Sequence, residues 1–233
     1  MELMERISLF APLDAVAVLF WGGAWLLIGM VIERGYRGRE SVSVLMKQIR
    51  SDWMKEMVTR QPRMFDAQIL GTLRQGTTFF ASASMISIGG GLALIGNTER
   101  LLGVARDLTL DIAPAVVWEL KLLAVLLLVT NAFLKFVWSH RLFGYSAVVM
   151  AAVPNEPQDP NAYPRAQNAA DLSNTAARSF NRGMRSLYFA LAGLAWLLGP
   201  APLMLATGAT LLMLWRREFA SASRMTLLDR TSM

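Results

Sequence analysis

The sequence contains no cysteine and a single histidine, His140. The first absence excludes disulfides, thiolate metal sites and cysteine nucleophiles; the second removes every mechanism that needs two imidazoles. Charge is scarce too. Only 17% of the 233 residues are Asp, Glu, Lys or Arg, against about a quarter in an ordinary globular domain. No stretch is long and polar enough for a second core, so the chain reads as one integral membrane domain over 1–233. Residues 1–14 end without a small-residue cleavage pattern, so no removable signal peptide is expected. Gly89-Gly90-Gly91 sits in an apolar run with no Lys-Ser/Thr after it, which excludes a phosphate loop.

What is present is apolar: 54% of the residues are hydrophobic, and they gather in long runs. About 20 helical residues at 1.5 Å rise cross the hydrocarbon core. The runs predict an all-α polytopic membrane protein with spans near 13–32, 77–96 and 114–137. A fourth run, 187–215, is too long for one untilted crossing and is broken by Gly199-Pro200-Ala201-Pro202. It reads either as one kinked helix or as a hairpin of two short arms, 187–199 and 201–215. The hairpin is preferred because it returns Arg216, Arg217, Arg224 and Arg230 to the cytoplasmic side. That makes five crossings, with arms short enough to need snorkelling arginines or local thinning.

Lys and Arg set the orientation. Eight lie between the first two runs, from Arg34 to Arg63, and only Arg100 and Arg106 between the second and third. The 33–65 connection is therefore expected in the cytoplasm, with the N-terminus and the 97–111 loop outside. Within that connection Val42, Leu45, Met46, Ile49, Trp53 and Met57 share a helical face, so 42–60 reads as an amphipathic helix on the cytoplasmic membrane surface. Pro154, Pro157, Pro160 and Pro164 predict an irregular loop over 154–164, with helix resuming near Asp171.

Three stretches carry a resemblance. Arg74-Gln75-Gly76-Thr77-Thr78-Phe79-Phe80-Ala81-Ser82 with Gly89-Gly90 resembles the second span of the membrane family called domain of unknown function 599. So does Phe133-Leu134-Lys135-Phe136-Val137-Trp138-Ser139-His140-Arg141 in the third. Asn181-Arg182-Gly183-Met184-Arg185, Tyr188-Phe189-Ala190-Leu191-Ala192 and Arg216-Arg217-Glu218-Phe219 are similar to its C-terminal part. The resemblance covers most of the chain. It implies a multispan membrane protein of bacteria and plants and brings no established activity.

Three groups of residues are candidates for function. Arg74, Lys121, Asn131 and Lys135 make a polar stripe, and ionisable residues inside a span are default candidates for an ion path or ligand site. Lys121 and Lys135 are about 21 Å apart by helical rise, so both can snorkel to opposite interfaces. Asn131 must sit deep, where a hydrogen bond in helix packing is the plainer reading. His140, Arg141, Arg182, Arg185, Arg216 and Arg217 form a basic collar that suits anionic headgroups or an acidic partner, with salt bridges to Glu33, Asp66 or Glu218 as the structural alternative. Ala83, Ser87 and Gly91, four apart, permit close helix packing. His140 alone is no metal site, and adjacent Ser139 and His140 project about 100° apart, which excludes a catalytic pair.

No catalytic residue, metal ligand or cofactor-binding residue is expected, and no nucleic acid partner, because the basic residues follow the ends of apolar runs. The leading expectation is a non-enzymatic inner-membrane protein that packs with lipids or partner membrane subunits, or as a homo-oligomer. A small transporter or channel on the polar stripe is the alternative.

Overall fold

The computed structural model describes residues 10–97, 100, 102–103 and 114–231, without the side chains of 230 and 231. The first nine residues, most of the 97–111 loop expected outside the cell, and the Arg230 side chain lie outside the described residues. Helices account for nearly everything described: α1 (Pro12–Arg34), α2 (Val42–Thr59), α3 (Met64–Ile95), α4 (Ala115–Ala151), α5 (Ala162–Leu194), a 3-10 turn (Ala195–Leu198), α6 (Pro200–Phe219) and α7 (Ala222–Thr231). Among the described residues there is no strand, only an isolated bridge between Tyr36 and Arg39. Three helices are long and apolar enough to cross a membrane: α1, α3 and α4.

Local chemistry sets the boundaries. Pro12 opens α1, where its missing N–H is not needed, and Asp14 accepts from the Ala11 N–H at 3.1 Å. After α1 the chain turns through Gly35, Arg37 and Gly38, all at positive φ. A Cβ on Gly35 would stand 2.9 Å from the Arg39 carbonyl oxygen, so only glycine fits there. Ser41 then caps α2, accepting from Val44 N–H at 3.2 Å, while its hydroxyl donates to the Ile32 carbonyl at 2.7 Å. Farther on, α5 begins at Ala162 and not near Asp171. Pro164 falls in its first turn, where a proline costs no helical hydrogen bond, so four prolines delimit a shorter loop than their number suggests.

The chain divides into two compact units. The first contains the chain up to Met30 with 83–132 and 184–216. Here Trp21 Nε1 donates to the Phe189 carbonyl at 2.8 Å. A Cβ on Gly193 would lie 2.7 Å from the Trp21 ring and 3.0 Å from Val125, so α5 closes on α1 and α4 through a glycine. A Cβ on Gly91 would meet Leu126 at 2.5 Å, the corresponding close approach of α3 to α4. Trp118 and Leu122 pack with Leu94, Ile95 and Leu197.

The second unit contains 31–82, 133–183 and 217–233. Its core joins Met54, Met57 and Val58 of α2 to Leu70, Phe143 and an alanine face of α5 that includes Ala162, Ala166, Ala169 and Ala170. Small side chains bring the backbones near enough for hydroxyls to reach carbonyls on the facing helix. Ser139 donates to Ala176 O at 2.8 Å, Ser146 to Ala169 O at 2.8 Å and Ser179 to Lys135 O at 2.9 Å. Phe80, Phe136 and Phe180 form a ring cluster with centroids 5.4 to 5.6 Å apart. A helix is present over Val42–Thr59; of the apolar face expected there Leu45 and Met57 are buried and Val42, Met46, Ile49 and Trp53 half-buried, while Met54 and Val58 are fully buried beside it.

The 187–215 run breaks where glycine and proline stand. Gly199 has φ +121 and its N–H closes on Trp196 O at 3.0 Å. Both flanks of the run meet the same residue. Asn181 reaches Ser43 Oγ at 3.5 Å, and Glu218 accepts from Ser43 N–H and Oγ–H at 3.0 and 3.1 Å. The residues on either side of the run thus meet at one serine.

Candidate functional site

Two polar constellations stand out, one in each unit. In the apolar first unit, Asp14, Lys121 and Trp196 are almost fully buried. The Trp196 indole donates to Asp14 Oδ1 at 2.6 Å, and Lys121 Nζ donates to the Trp196 carbonyl at 2.9 Å. The ammonium also lies 5.6 Å from the ring centroids of Trp118 and of Trp196, a cation–π arrangement worth more once desolvated. Burying either charge alone would be costly, and here each is compensated. Toward the other end of α4, Asn131 Nδ2 and Trp25 Nε1 both donate to Ser186 Oγ, at 2.8 and 3.2 Å. Arg185 is also buried, its guanidinium within 3.5 Å of where a Cβ on Gly29 would be.

In the second unit, α3 and α4 bring Arg74, Thr77, Thr78 and His140 together. Thr77 and Thr78 hydroxyls donate to the Arg74 carbonyl at 2.6 and 3.2 Å. Their oxygens lie 3.3 and 3.2 Å from His140 Nδ1. Because those hydroxyl protons are already used, the geometry assigns the ring proton to Nδ1 and leaves Nε2 as an acceptor. Nε2 faces Arg74 Nη2 at 3.5 Å. Arg74 Nε is buried with no hydrogen-bond partner among the described residues.

The remaining basic residues differ in how they are occupied. Arg182 grips Glu33 with two parallel bonds, Nε to Oε1 at 2.8 Å and Nη2 to Oε2 at 2.5 Å. Those bonds raise its pKa above the ordinary arginine value, against an opposing effect of burial, with the Glu33 charge adding to the rise. Arg141 is exposed and donates to Tyr145 OH at 2.9 Å. Arg60 pairs with the buried Asp66, which also accepts from Trp53 Nε1 at 2.7 Å. Arg216 and Arg217 are exposed, and Lys135 is half-buried. Burial lowers the pKa of Arg50 on α2.

The structure thus distributes the proposed stripe. Lys121 and Asn131 belong to the first unit and Arg74 and Lys135 to the second. Of Ala83, Ser87 and Gly91, the glycine makes the close helix contact, whereas Ser87 is exposed and bonds back to Ala83 O at 2.9 Å. Asp14, Trp196, Ser186, Thr77 and Thr78 were not singled out from the sequence. Asp14 had a visible signal, an ionisable residue inside an apolar run. The others became visible only when helices distant in sequence were brought together.

These elements define an all-α chain with three helices able by length and composition to cross a bilayer. The chain belongs to the family described as protein of unknown function, DUF599, whose model matches residues 16–223. No curated protein and no solved structure matches it.

Proposed function

We propose that this is a non-enzymatic, multi-pass protein of the cell inner membrane whose basic unit engages anionic lipid headgroups or an acidic membrane partner. One observation carries the reading. The sequence ranges of the second unit hold 17 Lys and Arg against 10 Asp and Glu, net +7, whereas those of the first hold 6 against 7, net −1. A strongly basic part joined to an apolar one matches the positive-inside bias and the attraction of cations to an anionic leaflet, on the order of 1 kcal/mol per residue near the surface. The proposed topology has the N-terminus outside, 33–65 in the cytoplasm and 187–215 as a re-entering hairpin that completes five crossings. The meeting of Asn181 and Glu218 at Ser43 supports this return.

The natural lack of cysteine makes the topology directly testable. Single cysteines at Lys47 and Ala222 should be shielded from an impermeant thiol reagent added outside intact cells, and one at Asn97 should react. Labelling at Ala222 but not Lys47 would replace the hairpin with a single crossing. For the lipid reading, charge reversal at the exposed Arg141 and Arg178 should release anionic lipid retained through mild detergent. Unchanged retention would remove these cations from the function. The transport alternative rests chiefly on Lys121 and Asn131, and both donate to neighbouring helices, which favours the packing reading.

A further inference from the structure

We propose that Arg74, His140, Thr77 and Thr78 form a discrete binding site for a phosphate-type oxyanion at the membrane boundary. The proposal rests on the reading of the basic unit as headgroup-facing and gives that reading a ligand chemistry and an address. Thr77 is the first residue of one expected span and Val137 the last of another, so Arg74 and His140 fall where two apolar runs end. That is the level of lipid phosphates.

Arg74 is distinguished from the other cations by how it is left. Arg182 has Glu33, Arg60 has Asp66, and Arg63 donates to the Val58, Val153 and Pro154 carbonyls. Arg74 has no carboxylate among the described residues, and its one side-chain contact is the edge of an imidazole. A half-buried guanidinium beside a ring nitrogen is a poor pair, since neither group neutralises the other and the buried Nε lacks an acceptor. An oxyanion resolves both defects. Its oxygens can accept from the guanidinium edge, which suits phosphate in bidentate geometry. A phosphate monoanion keeps one O–H, which can donate to Nε2, while Nδ1–H stays anchored on the two threonine oxygens. Thr78 lies exposed beside the ring, which leaves the group reachable.

The single histidine makes the test site-specific. The 15N-labelled full chain, in phosphatidylcholine nanodiscs, gives imidazole nitrogen signals from this residue alone. Addition of inorganic phosphate in one arm, or phosphatidic acid in the disc in the other, should shift the Nε2 signal as it accepts a new hydrogen bond. Response to the lipid alone assigns a headgroup, response to phosphate alone a soluble ligand, and no response in either arm overturns the site. Arg74→Gln should weaken the response by about tenfold or more, the loss expected for a charge-assisted hydrogen bond, with Arg74→Lys intermediate and Lys55→Gln, an exposed cation paired with Asp52, unchanged. A full response in Arg74→Gln would also overturn the site. If reversal at Arg141 and Arg178 releases anionic lipid while His140 never responds, the collar stands and the site falls. If His140 responds to inorganic phosphate and no anionic lipid is retained, the site stands and the lipid reading falls.

Discussion

The two units are built from overlapping helices and held together by different chemistry. In the apolar unit a few large side chains carry the polar contacts between helices: three tryptophan indoles, one lysine, one aspartate and one asparagine, each bonded to a residue far away in sequence. In the basic unit the contacts are small and repeated, with serine hydroxyls on carbonyls and alanines between. In hydrocarbon an unsatisfied polar group has no water to turn to, and the apolar unit gathers most of its interhelical polarity into these few paired side chains, with the buried Trp118 indole left without a hydrogen-bond partner among the described residues.

The sharpest way to break this comparison is to uncompensate one of those sites. Lys121→Ala leaves Asp14 buried without its cation and should destabilise the protein by about 3 kcal/mol, read by thermal unfolding in a mild detergent. Pairing it with Asp14→Leu should recover most of that loss, because an apolar pair of similar volume is often neutral. A double variant as unstable as the single one would mean that the buried Asp14 charge is not the source of the cost. Next in size, Gly193→Leu and Gly183→Leu probe close packing in the two units, against Trp21 and Val125 in one and Phe136 in the other. Each should cost roughly 1–3 kcal/mol through overpacking. Loss at one alone would show that only that unit is tightly closed.

Sequence patterns reveal such features unevenly. The three apolar helices were legible because run length alone identifies them, and the break at Gly199 because glycine and proline announce it. The helix α2 was legible as well, but its core contacts were not: Met54 and Val58 join Met57 in the protein core, although of the three only Met57 belongs to the face read from the sequence. The length of α5 was hidden too, because a proline in a first turn resembles one in a loop. Of the candidate residues, Asn131 was legible as a deep polar side chain, but its partner Ser186 was not, since pairing depends on which helices are neighbours. The meeting of Arg74 with His140 was equally invisible: the two are separated by a span, a loop and another span.

Smaller effects sharpen the contrast from the polar side. Ser139→Ala and Ser146→Ala remove single hydroxyls whose acceptor carbonyls lie within helices, so each should cost about 0.6 kcal/mol, and the two together roughly the sum. A loss several times larger from either would mean that the basic unit also depends on a few critical contacts, and the comparison would fail.

The smallest expected effect belongs to the most conspicuous ion pair. Arg182 and Glu33 form a bidentate contact, but the two side chains keep 47% and 21% of their surface open, and exposed pairs contribute about 0–1 kcal/mol. The raised pKa of Arg182 means its contribution is fully present below the ordinary arginine value and is lost only as pH rises through the still higher folded value. Stability should therefore not respond to pH near neutrality through this arginine. Salt is the better lever, because it screens partly exposed charges. Arg182→Gln should lower stability by less than about 1 kcal/mol at low ionic strength, and the difference from the parent should shrink in high salt. A large, salt-independent loss would show that Arg182 ties α5 to the end of α1 as firmly as Lys121 ties α4 to the 3-10 turn.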